Sequence, residues 1–340
     1  MSLKMRNTQL RVRITASCIG MSILLGCASP ALQRVDDDIR TTDDSELVER
    51  GRHIVYGPGH CAYCHGDPDR ESDLRAGQNI PLSGGRVFDL GMIGRIVAPN
   101  ITSNPVTGIG GLSDADLVRT LRYGISRQGR PLAPFMSFAN LTDYDLRAII
   151  SFLRTLPPVQ ADDQNQLSLL GTFAVKFLLR PQTPRTPPRL HIEPAPTADY
   201  GRYLAHTVAN CNGCHTRRSK LTGTSVGPPF AGGMVLEANA GTFVVPDIRP
   251  IAGGVMSALT PRDFVALFRA KGRGVNRSPM PWAAFSRMSD TELKAIYAYL
   301  STLPPEQNVA DRKHATAQGR EPQTVVRSLR EQSTQNRRSN

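Results

Sequence analysis

The sequence has 340 residues and a formal net charge of +12, and apolar residues make up 40% of it. This length allows about two domains, and this apolar content supports packed cores and excludes wholesale disorder. The charge does not indicate a nucleic-acid-binding domain, because residues 1–26 carry four basic groups and no acid, and residues 309–340 carry seven basic and three acidic groups.

The N-terminal segment is typical of a bacterial export signal. A basic stretch over residues 1–13 precedes an apolar stretch over residues 14–25, which is too short to span a membrane comfortably. Residues 24–27 read Leu-Leu-Gly-Cys and resemble a lipobox, which predicts a signal peptide over residues 1–26 and lipidation of Cys27. An ordinary cleaved signal with an incidental Cys27 is the alternative. Both interpretations predict a periplasmic protein, and residues 27–43 follow as an acidic tether.

Two copies of the pattern C-x-x-C-H come next, 150 residues apart. They consist of Cys61, Cys64 and His65, and of Cys211, Cys214 and His215. This pattern is typical of covalent haem c attachment. Two thiols add to the porphyrin vinyl groups, the two intervening residues place both sulfurs at one edge of the ring, and the adjacent imidazole becomes the proximal iron ligand.

Other roles for these cysteines fit the pattern less well. Two disulfides are the default for four exported cysteines, but a C-x-x-C-H pattern repeated in an exported chain favours haem attachment. A redox dithiol does not require the histidine, and a zinc site needs paired motifs that converge.

A repeat with an offset of about 150 residues surrounds the two motifs. Gly51 and Gly201 each lie ten residues before the first motif cysteine, and we expect them to let the first and last helices of each unit cross closely. Phe152 and Tyr299 are the expected packing partners there. Helical stripes precede paired prolines in both units and consist of Leu146, Ile149, Ile150 and Leu153, and of Leu293, Ile296, Tyr297 and Leu300.

Capping signals repeat as well. Thr142 and Ser289 begin the last predicted helices, and Ser113 and Thr260 begin the preceding ones. Gly124 is a predicted helix stop. These elements predict an all-α protein with two units, over residues 44–160 and 197–308, that contain long loops rich in glycine and proline.

The loops before the last helices contain the candidate distal iron ligands. Met280 lies between two prolines in the second unit, and Met136 lies in the corresponding loop of the first unit. A single methionine is more often core filler, but the position within the repeat favours a ligand role for both. Because the two loops differ in length by three residues, His53, His60 or an open position are alternatives to Met136.

The remaining segments join or extend the two units. Residues 161–196 form a predicted linker, stiffened in part by prolines. The apolar stretch 167–179 predicts a helix packed between the units, with a surface that docks on a partner or a membrane as the alternative. Residues 309–340 are polar and basic and predict a disordered tail.

The sequence resembles the bacterial di-haem cytochromes c and the cytochrome c subunits of periplasmic alcohol dehydrogenases. Besides both haem motifs, the resemblance rests on residues 98–110, 112–117 and 279–282 and on the Leu-Pro-Pro endings, and it covers residues 44–308. It implies two tandem class I cytochrome c domains with two haem c groups. It also implies His65 and His215 as proximal ligands, and Met136 and Met280 as distal ligands. The alcohol dehydrogenase subunits have three haem motifs, whereas this sequence has two, which favours a smaller redox partner.

The function that follows from this resemblance is electron transfer without a catalytic residue. Electrons would pass from a periplasmic dehydrogenase toward quinone, a cytochrome or a terminal oxidase, and a lipid anchor would hold the protein at a membrane. The alternative is a di-haem peroxidase, which needs one iron with an openable distal side. A haem-based sensor is a third class, but no output domain is evident.

Overall fold

The computed structural model describes residues 39–132, 136, 138–161, 165–184, 188–219, 225–238, 241–252, 254–272 and 278–305. The predicted signal peptide, Cys27, residues 27–38 of the tether and the C-terminal tail lie outside these residues. We call residues 39–160 the first half and residues 197–305 the second half. Among the described residues, no helix combines the length and the apolar character needed to cross a bilayer.

The first half contains five helices and a two-stranded hairpin in its described part. In chain order these are α1 Ser45–Tyr56, α2 Ala62–His65, α3 Glu71–Arg75, β1 Val87–Asp89, β2 Gly94–Val97, α4 Asp114–Tyr123 and α5 Asp143–Thr155, with short 3-10 turns at Pro68–Arg70 and Gly91–Ile93. The connecting segment adds β3 Gln166–Leu167, which extends the hairpin antiparallel to β2, and α6 Leu169–Phe173, which continues as a π-helical turn over Ala174–Leu178.

The second half places its first helix, motif helix, hairpin and two long helices in the same order, with a further short helix between the last two. It contains α7 Ala198–Tyr203 with a π-helical turn at Leu204–Val208, α8 Cys211–His215, β4 Val235–Ala238, β5 Gly241–Val244, a 3-10 turn at Met256–Ala258, α9 Pro261–Gly272, α10 Trp282–Phe285 and α11 Asp290–Ser301. Apolar side chains of both halves join one buried cluster, so the halves pack against each other.

The first and last helices of each half cross at a glycine, as predicted. A Cβ atom added at Gly51 would lie 2.0 Å from the carbonyl oxygen of Ala148, and one added at Gly201 would lie 1.8 Å from that of Ala295. Phe152 packs at the first crossing, and its Cβ would lie 2.7 Å from the Cβ atom added at Gly51. At the second crossing the nearest atoms belong to Ala295 and Ile296 rather than to Tyr299. Only a residue without a side chain permits this approach of the two backbones.

The predicted helix signals are confirmed in detail. The apolar stripes of α5 and α11 are buried, apart from the half-buried Tyr297. Thr142 caps α5, and Ser113 and Ser289 form capping boxes at α4 and α11. Gly124 ends α4 in the left-handed conformation, with φ of 60°.

The small sheets were not predicted. Residues 87–97 and 235–244 form antiparallel hairpins, so the fold is mainly helical rather than purely α. Each strand has only two to four residues, which is too short for an alternating pattern to stand out in the sequence.

Two expectations about the connecting segments need correction. The end of the predicted tether, residues 39–43, is docked on the first half: Ile39 is buried, and Thr41 donates two hydrogen bonds to Asp114 at 2.8 and 2.9 Å. The helix over residues 169–178 does not bury its apolar side chains between the halves. It lies against the turn Gly91–Ile93, and its phenylalanines are exposed.

Candidate haem-attachment sites

The first C-x-x-C-H motif begins with an unusual backbone conformation. His60 has a φ of 41°, in the left-handed region that residues other than glycine rarely adopt. This turn starts the short helix α2, which has Cys61 at its N-cap and Cys64 and His65 as its last two residues. The backbone N–H of His65 donates to the carbonyl of Cys61 at 2.8 Å, which closes that turn.

The imidazole of His65 is oriented for metal ligation. Its Nδ1 lies 2.8 Å from the carbonyl oxygen of Pro99, and since a carbonyl only accepts hydrogen bonds, Nδ1 carries the proton. Nε2 therefore keeps its lone pair. Burial lowers the pKa of His65, which favours this neutral form. A metal-binding histidine commonly has such a carbonyl partner on its other nitrogen.

The second motif reproduces this arrangement. Asn210, which precedes Cys211, has a φ of 47°, and the helix α8 follows at once. Nδ1 of His215 donates to the carbonyl oxygen of Pro246 at 2.9 Å. Burial also lowers the pKa of His215. Both histidines are buried, and both present a neutral imidazole whose free nitrogen is Nε2.

A pair of glycines supports each motif histidine, and the sequence reasoning missed it. Gly84 donates its N–H to the carbonyl of His65 at 2.8 Å, and Gly232 donates to that of His215 at 2.7 Å. Gly85 and Gly233 donate their N–H groups to the carbonyls of Ala98 and Val245, which directly precede Pro99 and Pro246. All four glycines have positive φ values between 65° and 93°. The signal was a Gly-Gly pair that follows each motif histidine at a similar distance along the chain.

The four motif thiols differ from those of a reactive dithiol in their pKa values. All four motif cysteines are free, and burial raises the pKa of Cys61 and of Cys211 to about 12. Burial also raises the pKa of Cys64 and of Cys214. A redox C-x-x-C motif lowers the pKa of its thiol instead. Within the described part of the chain, no three His, Cys, Asp or Glu groups converge on a possible metal position.

The two candidate distal methionines occupy equivalent loops before the last helices. Met280 is half-buried and packs against the core, and its backbone N–H donates to Oγ of Ser278 at 3.2 Å. Met136 is also half-buried, and its carbonyl accepts a hydrogen bond from the side chain of Gln182. Residues 133–135, 137 and 273–277 of these loops lie outside the described residues.

The alternative ligands His53 and His60 have other partners. Nε2 of His53 lies 2.9 Å from the carboxylate of Glu292. Nδ1 of His60 donates to the carbonyl of Pro58 at 3.0 Å, and its ring packs edge-on against Phe285.

The sequence was compared with known proteins. No protein-family model matches it. A di-haem c-type cytochrome of Cereibacter sphaeroides is 31% identical over 279 residues, which cover 76% of this chain and 86% of that protein. The chain belongs to the di-haem c-type cytochromes. The resemblance inferred from the motifs is thereby confirmed, and as a c-type cytochrome the protein binds haem c covalently.

Other relatives of this cytochrome are parts of larger dehydrogenase systems. The cytochrome c subunit of alcohol dehydrogenase (quinone) from Gluconacetobacter polyoxogenes is 29% identical over 326 residues, which are 87% of this chain and 62% of that subunit. A nicotinate dehydrogenase subunit of Pseudomonas putida is 29% identical over 285 residues, which are 76% of this chain but only 22% of that protein. The cytochrome therefore spans only part of these two relatives.

The first haem motif of the cytochrome lies against the second half. The ring centroids of His60 and Phe285 are 5.4 Å apart. Arg287 donates hydrogen bonds to Asn79 and to the carbonyl of Gly77, and its guanidinium lies 5.7 Å from the centroid of the Tyr56 ring. Since α10 directly follows the Met280 loop, that loop lies near the attachment motif of the other half.

A buried polar network joins the halves behind this contact. Arg50 bonds Asp145 of its own half at 2.9 Å and Glu292 of the other half at 3.0 Å. Tyr203 of the second half donates to Asp145 at 2.7 Å. Burial raises the pKa of Glu292, but His53, Arg50 and the N–H of Ser289 together outweigh burial and lower it to about 2. Asp145 and Glu292, each the third residue of its helix, thus hold the two halves together, and Glu292 also caps its own helix.

Proposed function

We propose that this cytochrome is an electron carrier that consists of two cytochrome c units, over residues 44–160 and 197–308, with one haem c in each. The observation that carries this proposal is the duplicated bond from the Nδ1 atoms of His65 and His215 to the carbonyls of Pro99 and Pro246. Two imidazoles are held in the same tautomer beside two C-x-x-C pairs, and this duplication supports two equivalent attachment sites.

Each residue of the two sites has a proposed role. Thioether bonds would form at Cys61, Cys64, Cys211 and Cys214, the proximal ligands would be Nε2 of His65 and His215, and the distal ligands would be Met136 and Met280. Haem c bound there supplies a one-electron Fe(III)/Fe(II) couple. The chain itself orients the imidazoles, keeps them neutral and excludes water from them by burial.

The proposed partners follow from the names of the relatives. Several are cytochrome subunits of dehydrogenases, acting on alcohol, gluconate or fructose by their names, so a dehydrogenase is the proposed electron donor. The proposed acceptors are the quinone pool, a cytochrome or a terminal oxidase. The proposed location is the periplasm, with a lipid anchor at Cys27. Mass spectrometry of the mature N-terminal peptide tests the anchor, since an unmodified Cys27 would exclude it.

The haem content per chain tests the carrier directly. We expect two covalent haem groups in the unsubstituted protein and one in each of the matched variants Cys61→Ala/Cys64→Ala and Cys211→Ala/Cys214→Ala. Equal loss from both variants supports two independent sites. A single haem in the unsubstituted protein would contradict the proposal.

The optical spectrum of the oxidised protein tests the distal ligands. We expect the weak far-red band of methionine bound to ferric iron, reduced by Met136→Ala and by Met280→Ala and lost in the double variant. Met92→Ala is the control, because Met92 is exposed on the hairpin turn. A high-spin haem that turns over peroxide after partial reduction would instead show a di-haem peroxidase.

A further inference from the structure

Five large apolar side chains are exposed together on the first half and its connecting segment. They belong to the turn at 91–93 and to the helix over residues 169–178, and we call them the apolar face: Met92, Leu169, Leu170, Phe173 and Phe177. Leu169 is 92% exposed and Met92 is 82% exposed, and the other three are about half exposed. Exposed apolar residues are common singly, but a contiguous group of this size indicates a binding surface.

Specific contacts hold these side chains side by side. Oγ of Ser168 donates to the carbonyl of Met92 at 2.6 Å, and the N–H of Ser168 donates to the carbonyl of Ile93. A Cβ atom added at Gly171 would lie 1.9 Å from the carbonyl oxygen of Ile93. The helix therefore rests with its glycine side directly on the turn, and Leu169, Leu170, Phe173 and Phe177 point away from the protein core. The Phe173 and Phe177 rings touch, with centroids 4.8 Å apart.

The charges around the apolar face are basic. Lys176 and Arg180 are exposed on the same segment, and the Lys176 ammonium lies 5.4 Å from the centroid of the Phe177 ring. Residues 165–184 contain no acid. On the adjacent hairpin, the carboxylate of Asp89 lies 3.6 Å from the guanidinium of Arg95, which offsets its charge.

We propose that the apolar face binds peripherally to the surface of a phospholipid bilayer with anionic headgroups. Apolar and aromatic side chains beside lysine and arginine fit the boundary between acyl chains and headgroups. Lys176 and Arg180 attract anionic headgroups while Leu169 and Phe173 enter the acyl boundary. The helical stretch has ten residues and spans about 15 Å, so it lies along the membrane surface. A lysine within the apolar group fits a lipid surface better than a protein interface, where lysine is depleted.

Co-sedimentation of the haem-loaded full chain with vesicles tests this surface. All proteins carry Cys27→Ala behind a signal peptide that is cleaved without lipidation, so that neither an acyl chain nor the apolar stretch 14–25 contributes to binding. Vesicles of phosphatidylcholine with about 30% phosphatidylglycerol are compared with vesicles of pure phosphatidylcholine. We expect Leu169→Ser/Phe173→Ser to lower the partition coefficient at least about tenfold on the anionic vesicles. We expect Lys176→Glu to lower it about fivefold on the anionic vesicles only.

The matched control is Val106→Ser/Leu190→Ser, which removes two apolar side chains that are 83% and 79% exposed outside the apolar face. This control is expected to bind vesicles like the parent protein. Equal losses in both double variants, or no loss in Leu169→Ser/Phe173→Ser, would overturn the proposal. A third result would also overturn the proposal: the protein binds a dehydrogenase but not vesicles, and Leu169→Ser/Phe173→Ser abolishes that binding. The surface would then serve a protein partner.

Hydrogen exchange on the parent protein provides a test without a variant of the surface. We expect anionic vesicles to slow amide exchange in residues 169–178, with no change in α4. Unchanged exchange in residues 169–178 at saturating lipid would also overturn the proposal.

Discussion

The two halves meet through equivalent positions that carry different side chains. At position 53 the first half presents a histidine, whose Nε2 lies 2.9 Å from the capping acid Glu292 of the second half. At the equivalent position 203 the second half presents a tyrosine, which donates to the corresponding acid of the first half, Asp145, at 2.7 Å. The two halves thus use equivalent positions of the repeat, but an imidazole reaches across the interface from one half and a hydroxyl group from the other.

The two contacts differ in the ionisable groups that form them. The pKa of Glu292 is lowered to about 2, so its interactions depend on ionisation of the carboxylate. Burial, with the charge of Asp145 adding to it, raises the pKa of Tyr203 well above its usual value, so that hydroxyl stays protonated and continues to donate. We expect the contact of Glu292 with His53 to weaken as the pH falls toward about 2.

Substitutions at the helix crossings should lower the free energy of unfolding most, and by similar amounts in both halves. Gly51→Ala and Gly201→Ala place a methyl group about 2 Å from a backbone oxygen. Because backbone cannot move aside as a flexible side chain can, we expect each change to lower the free energy of unfolding by about 3 kcal/mol or more. Urea unfolding measures the loss.

The controls are Arg52→Ala and Arg202→Ala, each one residue after the crossing glycine and exposed. They should change the free energy of unfolding by less than about 0.5 kcal/mol. Tolerance of alanine at only one of the two glycines would show that the halves do not share one crossing geometry.

Substitutions of Glu292 and Asp145 should distinguish the two contacts between the halves. Glu292→Gln removes a buried charge that contacts Arg50 and His53, and we expect it to lower the free energy of unfolding by about 3 kcal/mol at pH 7. Since the pKa of Glu292 is lower in the folded protein than its ordinary 4.5, its contribution is complete above about pH 4.5. It is lost as the pH falls toward about 2, where parent and variant should converge.

Asp145→Asn is the matched variant of the other contact. Both acids contact Arg50, but the Tyr203 hydroxyl can still donate to an amide oxygen, so we expect a smaller loss of about 1–2 kcal/mol. Unfolding curves between pH 2 and pH 7 measure both variants. Equal losses with the same pH dependence would mean that His53 and Tyr203 act alike, contrary to the comparison above.

The left-handed residues before the motifs should have the smallest effects. Asn tolerates this conformation well, whereas a β-branched residue does not, so Asn210→Val should cost about 1–2 kcal/mol and Asn210→Gly less than about 0.5 kcal/mol. His60→Gly also removes the ring contact with Phe285 of the other half. We expect it to cost about 0.5–1 kcal/mol more than Asn210→Gly in thermal unfolding. A stabilising effect of His60→Gly would show that this contact does not offset the backbone strain.

Local signals made most of the helices and the proximal histidines predictable. The stripe at Leu146 and Ile149, the caps at Ser113 and Ser289 and the C-x-x-C-H spacing each involve residues a few positions apart. The bond from His65 to Pro99 was not predictable, because it spans 34 residues and uses a carbonyl group that every residue has. The contact between Arg50 and Glu292 joins residues 242 positions apart, beyond any periodicity.

The exposed helix shows a different limit. Its composition predicted burial, because leucine and phenylalanine are usually inside. The structure fixes its orientation through Gly171 and Ser168, which attach its opposite side to the hairpin turn. Sequence composition indicates how apolar a segment is, but the tertiary contact decides which way its apolar side faces.

The bonds from the motif histidines to the proline carbonyls tolerate variation in chain length. The path from His65 to Pro99 takes 34 residues and that from His215 to Pro246 takes 31, yet the two bonds have nearly the same length, 2.8 and 2.9 Å. Two of the three additional residues lie between His65 and Gly84, and one lies between Gly84 and Pro99, when this path is compared with that from His215 through Gly232 to Pro246. Both segments can therefore change in length in evolution, or accept a grafted peptide tag or binding epitope, without turning either imidazole.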